Sequence, residues 1–168
     1  MKKIDANKVI KKLSQPAAKK VAKTIEVELL GETYEVKVYD TLDLSDSKNL
    51  VEISDLIGNW FSIYLSGLTM GETLENNPLA SMETEDLFAL VALYVTYGMY
   101  TDLVLPSEDH SIVDLILFMG ALATEGIQGE IIASLTETAA AEILQVTQTL
   151  TTEWANLLSE TLEAESLE

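Results

Sequence analysis

Residues 24–38 read TIEVELLGETYEVKV and predict the first element of the fold. On both sides of Leu30-Gly31-Glu32, apolar side chains alternate with polar or charged ones. This period of two is typical of antiparallel strands with one buried face, and the short turn between them favours a β-hairpin. Because a two-stranded hairpin is marginally stable alone, it needs support from the residues that follow.

Downstream of the hairpin the apolar residues recur at helical spacing. A polar loop over residues 40–49 precedes a helix that should end near Gly67, and Gly71 with Asn76-Asn77-Pro78 predicts a break. A second helix follows a start signal at Ser81, and its residues 86–100 are apolar on most sides. Such a helix is either central or covered by another chain. Residues 111–124 predict a further buried helix.

The last segment, residues 130–164, contains no proline or glycine and places apolar residues three or four positions apart. It predicts one helix of about thirty residues, about 45 Å long. Two interpretations of its apolar seam stay open: it packs across the helical bundle, or it receives a partner helix or a second copy of the chain. In the second case the partner-binding residues would be Leu135, Ile143, Val146, Leu150, Trp154 and Leu157.

These elements predict an α+β fold that is mostly α. An N-terminal β-hairpin packs on a bundle of about four helices, which includes the long C-terminal helix. We expect a lysine-rich arm over residues 1–23 and a hairpin with its helical core over residues 24–129. Residues 130–168, the C-terminal helix with its acidic tail, should belong to the same domain as that core.

Charge divides the chain sharply. Residues 1–23 hold eight lysines and one acid, which gives +7, whereas residues 24–168 hold two lysines and 27 acids, which gives −25. The pattern favours a flexible, solvated arm that contacts an acidic surface of its own body or of a neighbouring copy. Lysines could also neutralise phosphates, but the acidic body opposes that use, and the absence of arginine argues against sequence-specific nucleic-acid recognition.

The residues that carry chemistry are sparse. Cysteine is absent, and the single histidine, His110, lies four residues before Asp114. A transition-metal site needs three or more good ligands and a catalytic triad needs a third positioned group, so a surface histidine near a helix end is favoured. The glycines form no phosphate-binding loop. We therefore expect a non-enzymatic protein that binds no cofactor and no metal ion.

Membrane insertion is not predicted either. The longest apolar stretch, residues 112–123, includes Asp114 and is shorter than a bilayer requires. No apolar core of a signal peptide follows Lys2 and Lys3.

The hairpin of residues 25–38, the polar link over residues 40–49 and the helices that start at Val51 and Asp86 together resemble the tail assembly chaperones of long-tailed bacteriophages. The resemblance covers residues 24 to about 105. It implies a protein made in the host cytoplasm that coats a helical tape measure protein until tail subunits polymerise around it, without ATP. It also implies a homo-oligomer that binds another protein rather than nucleic acid or membrane. The lysine-rich arm is not part of this resemblance.

Two alternatives remain open. One is an acidic inhibitor that mimics nucleic acid and blocks a DNA-binding host protein, with a row of carboxylates formed by Glu26, Glu28, Glu32 and Glu35. The other is a different phage structural or scaffolding protein, to which the long C-terminal helix would belong.

Overall fold

The computed structural model describes residues 3–15, 17–69, 83–107 and 109–166. The predicted break at Gly71 and residues 76–78 and the predicted helix start at Ser81 lie outside these ranges. Within them the architecture is a two-stranded antiparallel hairpin combined with six helices, so the mostly α, α+β fold is confirmed.

A short helix, α1 (Ala6–Leu13), forms inside the lysine-rich arm. Asp5 caps its N-terminus by accepting from the backbone N–H of Asn7 at 3.0 Å, and Lys11 and Lys12 occupy its last turn. Both arrangements suit the helix dipole. No residue of α1 is buried. The far end of the arm is fixed, because the Lys19 ammonium donates to Glu52 at 2.7 Å.

The hairpin consists of β1 (Val21–Leu29) and β2 (Glu32–Tyr39). Its first strand therefore begins three residues before the alternating pattern predicts. Leu30 and Gly31 form the turn with φ of 55° and 81°, as a two-residue turn between twisted strands requires. Ile25 pairs with Val36, and this face of the hairpin is buried.

The helices α2 (Ser47–Thr69) and α3 (Thr84–Tyr100) pack against each other beside the hairpin. Asp46 caps α2 by accepting from the N–H of Lys48 at 2.9 Å. Of the two positions left open for α3, central or covered by another chain, the fold shows the central one. It packs on α2, on β2 and on the C-terminal helix. Its buried residues are Val91, Tyr94, Val95, Thr96, Tyr97, Met99 and Tyr100.

Residues just after α3 fasten it to the hairpin. Thr101 forms an isolated antiparallel bridge with Val38. The Asp102 carboxylate accepts from the N–H of Lys37 at 2.8 Å, and the Asp102 N–H donates to the Lys37 carbonyl at 3.3 Å. The marginal hairpin thus gains both a packing partner and a short third segment along its edge.

The remaining helices are α4 (Ile112–Thr124), α5 (Ile127–Ser134) and α6 (Glu137–Ser166). The helix predicted to start at Glu130 starts at Glu137, because the extended backbone at Leu135 ends α5 and separates it from α6. The Thr136 hydroxyl caps α6 by accepting from the N–H of Ala139 at 3.1 Å. A threonine cap without glycine or proline leaves only a weak signal in the sequence.

No single helix among the described residues has the length and apolar composition to cross a membrane. The helices α4 and α5 would reach such a length together, but they meet at a bend of 74°.

Candidate functional site: an apolar groove with an acidic rim

An open groove runs between α3 and α6 and is closed at one end by α5. We call it the α3/α6 groove, and its volume is about 230 Å³. All but one of its lining residues are apolar. They are Ala89, Ala92, Leu93 and Thr96 of α3, Ile132 and Leu135 at the end of α5, and Ala140, Ile143 and Leu144 of α6.

The groove is open because its sides are built from residues of unequal size. Alanines occupy positions 89 and 92 of α3 and position 140 of α6, so the two helices leave a shallow channel between them. Two large apolar side chains remain accessible at its edge: Ile132 is 41% exposed and Leu144 is 50% exposed. Together with the groove they offer apolar surface that a partner side chain could bury.

Acidic residues border the groove. Glu85 precedes Ala89 by four residues and Asp86 precedes Leu93 by seven, which places both carboxylates on the groove side of α3. Glu137 precedes Ala140 by three residues and Leu144 by seven, so helical spacing places its carboxylate on the groove side of α6. All three are exposed. The groove therefore combines an apolar floor with a negative rim.

The six predicted partner-binding residues differ in how deeply they are buried. Ile143 is 2% exposed and lies in the core. Leu135, Val146, Leu150 and Trp154 are partly buried and pack against that core. Leu157 is 59% exposed. The seam of α6 is thus largely used inside this chain, and only Leu135 and Ile143 among the six line the groove.

Trp154 shows why the seam packs internally. Its ring stacks near Phe61 with centroids 6.4 Å apart, and its indole N–H donates to the Ser54 hydroxyl at 3.4 Å. The ring also lies against Gly58, where an added Cβ would be 3.3 Å from it. α6 therefore lies across α2 as well as α3.

The sequence analysis placed Ile132 in the apolar seam of the last segment but did not single out Leu144 or the alanines at positions 89, 92 and 140 as a surface. Leu144 follows Ile143 in the chain, so it lies about 100° around α6 from the buried stripe. The sequence signal that could have indicated this surface was the short spacing of alanines in two predicted helices. Only the tertiary structure shows that these two helices pack against each other.

A second, more polar cleft of about 700 Å³ lies between residues 41–45 and α6. Asp43 and Glu142 both line it. The Ser45 hydroxyl and the Ser45 N–H donate to the Asp43 carboxylate and lower its pKa. Asp43 is therefore engaged in holding its own turn, and no histidine or lysine lines this cleft among the described residues.

His110 and Asp114 do not form a hydrogen-bonded pair with each other. The backbone N–H of Ser107 donates to Nδ1 of His110 at 3.3 Å. Asp114 accepts from the Ser111 N–H at 2.9 Å and, with Ser111, forms a capping box at the start of α4. Hydrogen bonding by Ser111 is the main cause that lowers the pKa of Asp114. In the part of the chain that the structure describes, no three His, Asp or Glu residues are placed to hold a metal ion.

The predicted row of hairpin carboxylates is divided by the strand register. Glu26 lies directly opposite Glu35, and Glu28 shares their face. Glu32 pairs with Leu29, on the opposite face, and accepts from the Tyr34 hydroxyl at 2.6 Å. Lys37, opposite Thr24, adds a positive charge beside Glu26 and Glu35. Three carboxylates that end at a lysine are a poor imitation of a phosphate row.

Comparison with known proteins finds no matching family model, no matching curated protein and no matching solved structure.

Proposed function

We propose that this chain is a non-enzymatic tail assembly chaperone that binds a helical tape measure protein and keeps it soluble in the host cytoplasm. The observation that supports the proposal is the α3/α6 groove, an open apolar channel on a body of strongly negative charge. An amphipathic client helix would place its apolar side chains in such a channel at steps of three and four residues.

The dimensions of the groove favour a helix face over an enclosed small molecule. Its volume of about 230 Å³ is below the range of typical small-molecule pockets, and it is open along its length. A few leucine-sized or alanine-sized side chains fill it. The client is then held by apolar contacts, while the surrounding carboxylates remain in water and keep the complex soluble.

The direct test is to look for a reading frame for a long helical protein beside the one for this chain and to co-express the two proteins. The wild type should raise the soluble fraction of that protein and purify with it at about 0.5 M salt, because screening weakens charge contacts more than apolar ones. Leu144→Asp should abolish both effects. Val104→Asp makes the same change at a side chain that is 92% exposed and outside the groove, so it should behave as the wild type.

Two results would refute the proposal. The first is the absence of any long helical reading frame beside this one. The second is a client that Leu144→Asp solubilises as well as the wild type does. Capture of a basic DNA-binding protein that salt releases would support the acidic-inhibitor alternative instead.

A further inference from the structure

The helix α1 contacts α2 of its own chain and Leu13 is partly buried, but the rest of its apolar strip remains exposed. Ile10 is 61% exposed and Val9 is 43% exposed, and Ile4, just before the helix, is 92% exposed. Helices of eight residues are marginal in water unless they pack against something. An apolar strip on such a helix is therefore expected to have a binding partner.

The composition of α1 defines the surface that would suit it. Ala6, Val9, Ile10 and Leu13 follow the i, i+3, i+4, i+7 spacing of one helix face. Lys8 and Lys11 lie on the other side, and Lys12 flanks the apolar strip. A matching surface is an apolar channel about two helical turns long with negative charge around it.

The α3/α6 groove has both properties. Its floor is apolar, and helical spacing places the exposed Glu85, Asp86 and Glu137 beside it. Lys12, which flanks the apolar strip, can extend from a docked helix toward those carboxylates while its stem covers apolar surface. The net charges, +7 for residues 1–23 and −25 for the remainder, add attraction at longer range.

We propose that α1 of one copy docks in the α3/α6 groove of a second copy. The inference rests on the proposed function, because it assigns a second occupant to the same groove. Docked in this way, α1 would shield the apolar floor until a client helix displaces it. The interface is heterologous, since it joins two different surfaces, so repeated docking gives chains or closed rings.

A second copy is favoured over an anionic lipid surface because this chain itself carries an apolar groove that matches the strip on α1. Leu13 is followed after six residues by Lys19, whose ammonium is bound to Glu52 of the acidic body. Six residues span at most about 20 Å. A membrane-bound α1 would hold the negatively charged body close to negatively charged headgroups. Docking on another copy also brings two acidic bodies together, and the apolar contacts of Val9 and Ile10 must outweigh that repulsion.

The test uses two variants that break opposite sides of the interface. Ile10→Asp removes the apolar strip and Leu144→Asp removes the groove edge, and both residues are exposed in the single chain. In sedimentation velocity at rising concentration, the wild type and Val104→Asp should associate. Each variant alone should remain monomeric. An equimolar mixture of the two should form a dimer, because one variant retains α1 and the other retains the groove.

Several results would overturn the inference. Ile10→Asp could associate as the wild type does, or the mixture could remain monomeric. Binding of the wild type to phosphatidylserine vesicles through Ile10, without self-association, would also overturn it. If Leu144→Asp unfolds, as judged by circular dichroism, Ile132→Asp replaces it at the other accessible edge of the groove.

Failure of this inference is distinguishable from failure of the proposed function. Ile10→Asp leaves the groove intact, so it should still solubilise the client if the proposed function holds. A wild type that associates through α1 but solubilises no client would refute the proposed function alone.

Discussion

Three tyrosines of α3 are buried to 1% or less exposure, but their hydroxyl groups have different surroundings. The Tyr94 hydroxyl donates to the carbonyl of Pro106 at 2.7 Å and so holds the chain segment that follows α3. The Tyr97 hydroxyl has no hydrogen-bond partner among the described residues. Because an unpaired buried hydroxyl costs desolvation energy without a compensating bond, the two residues should respond oppositely to loss of the oxygen.

We predict that Tyr94→Phe lowers the free energy of unfolding by about 1–2 kcal/mol, since it leaves the Pro106 carbonyl unpaired. Tyr97→Phe should raise it by up to about 1 kcal/mol, since it removes only an unpaired group. Urea unfolding at neutral pH measures both. A loss of stability in Tyr97→Phe equal to that in Tyr94→Phe would show that the Tyr97 hydroxyl is bonded.

Burial also predicts alkaline sensitivity. It raises the pKa of Tyr97 to about 12, above the value of about 10 expected in the unfolded chain. Below about pH 10 both states keep the phenolic proton, so the full stability is present. As the pH rises from about 10 through 12, the unfolded chain releases a proton that the folded chain retains, and stability falls.

Tyr97→Phe should therefore lose less stability than the wild type between pH 9.5 and 11.5, on the order of 1 kcal/mol less. Burial raises the pKa of Tyr94 and Tyr100 as well, so the loss should become shallower rather than disappear. Urea unfolding at half-unit pH steps measures the slopes. Identical slopes for variant and wild type would contradict the prediction.

At the scale of elements, the contact of α2 with α3 depends on a close approach at Gly98. A Cβ at this position would lie 2.6 Å from both methyl carbons of Leu56 and 3.2 Å from a methyl carbon of Leu105. The glycine on α4 is different, because a Cβ at Gly120 meets no atom within 4 Å. The substitution of alanine for glycine can therefore be compared at an obstructed position, Gly98, and at an unobstructed one, Gly120.

Gly120→Ala should stabilise the protein by about 1 kcal/mol, because alanine is the better helix former and nothing obstructs it. Gly98→Ala should destabilise it by about 1 kcal/mol, because displacing Leu56 outweighs the same gain in helix propensity. Thermal unfolding of both variants gives the comparison. A stabilised Gly98→Ala would mean that Leu56 rotates away at little cost.

The break between α5 and α6 also belongs to this scale, because it shapes the groove. The extended backbone at Leu135 turns the chain so that Ile132 of α5 and Leu144 of α6 lie on the same channel. A continuous helix over residues 127–166 would place these residues twelve positions apart along one axis, about 18 Å. The turn therefore closes one end of the groove.

At the scale of the whole molecule, the balance of charge works against compactness. The net charge of −18 repels itself in the folded state, and the few basic residues outside the arm offset little of it. The Lys19 to Glu52 ion pair is partly buried, with side-chain exposures of 11% and 24%, so salt should weaken it less than it weakens the surface repulsion.

We therefore predict that the melting temperature rises by a few degrees when sodium chloride increases from about 0.05 to 0.5 M, since the Debye length falls below typical spacings of surface charges. Differential scanning calorimetry at low protein concentration separates this effect from self-association. A melting temperature that falls with salt would show that attractive pairs dominate the surface.

The sequence alone determined the elements whose signal is local. Alternation over residues 24–38 predicted the hairpin, and the nearly continuous apolar run over residues 86–100 predicted a helix; both are confirmed. Whether that helix is central or covered by another chain was left open by the sequence. The reason is that strand pairing and helix burial leave a periodic trace in neighbouring residues. The helix α1 and the start of α6 were harder to predict from the sequence, because a short exposed helix and a threonine cap depend on few local contacts.

Only the tertiary structure decided which apolar surface is used inside the chain and which remains open. The seam of α6 has the same spacing whether it meets α2 and α3 or another protein, and the packing of Trp154 on Phe61 shows that most of it is internal. The groove depends on alanines of α3 facing Leu144 of α6, residues more than fifty positions apart. Periodicity gives the direction of a side chain, whereas its neighbour is set by how the helices pack.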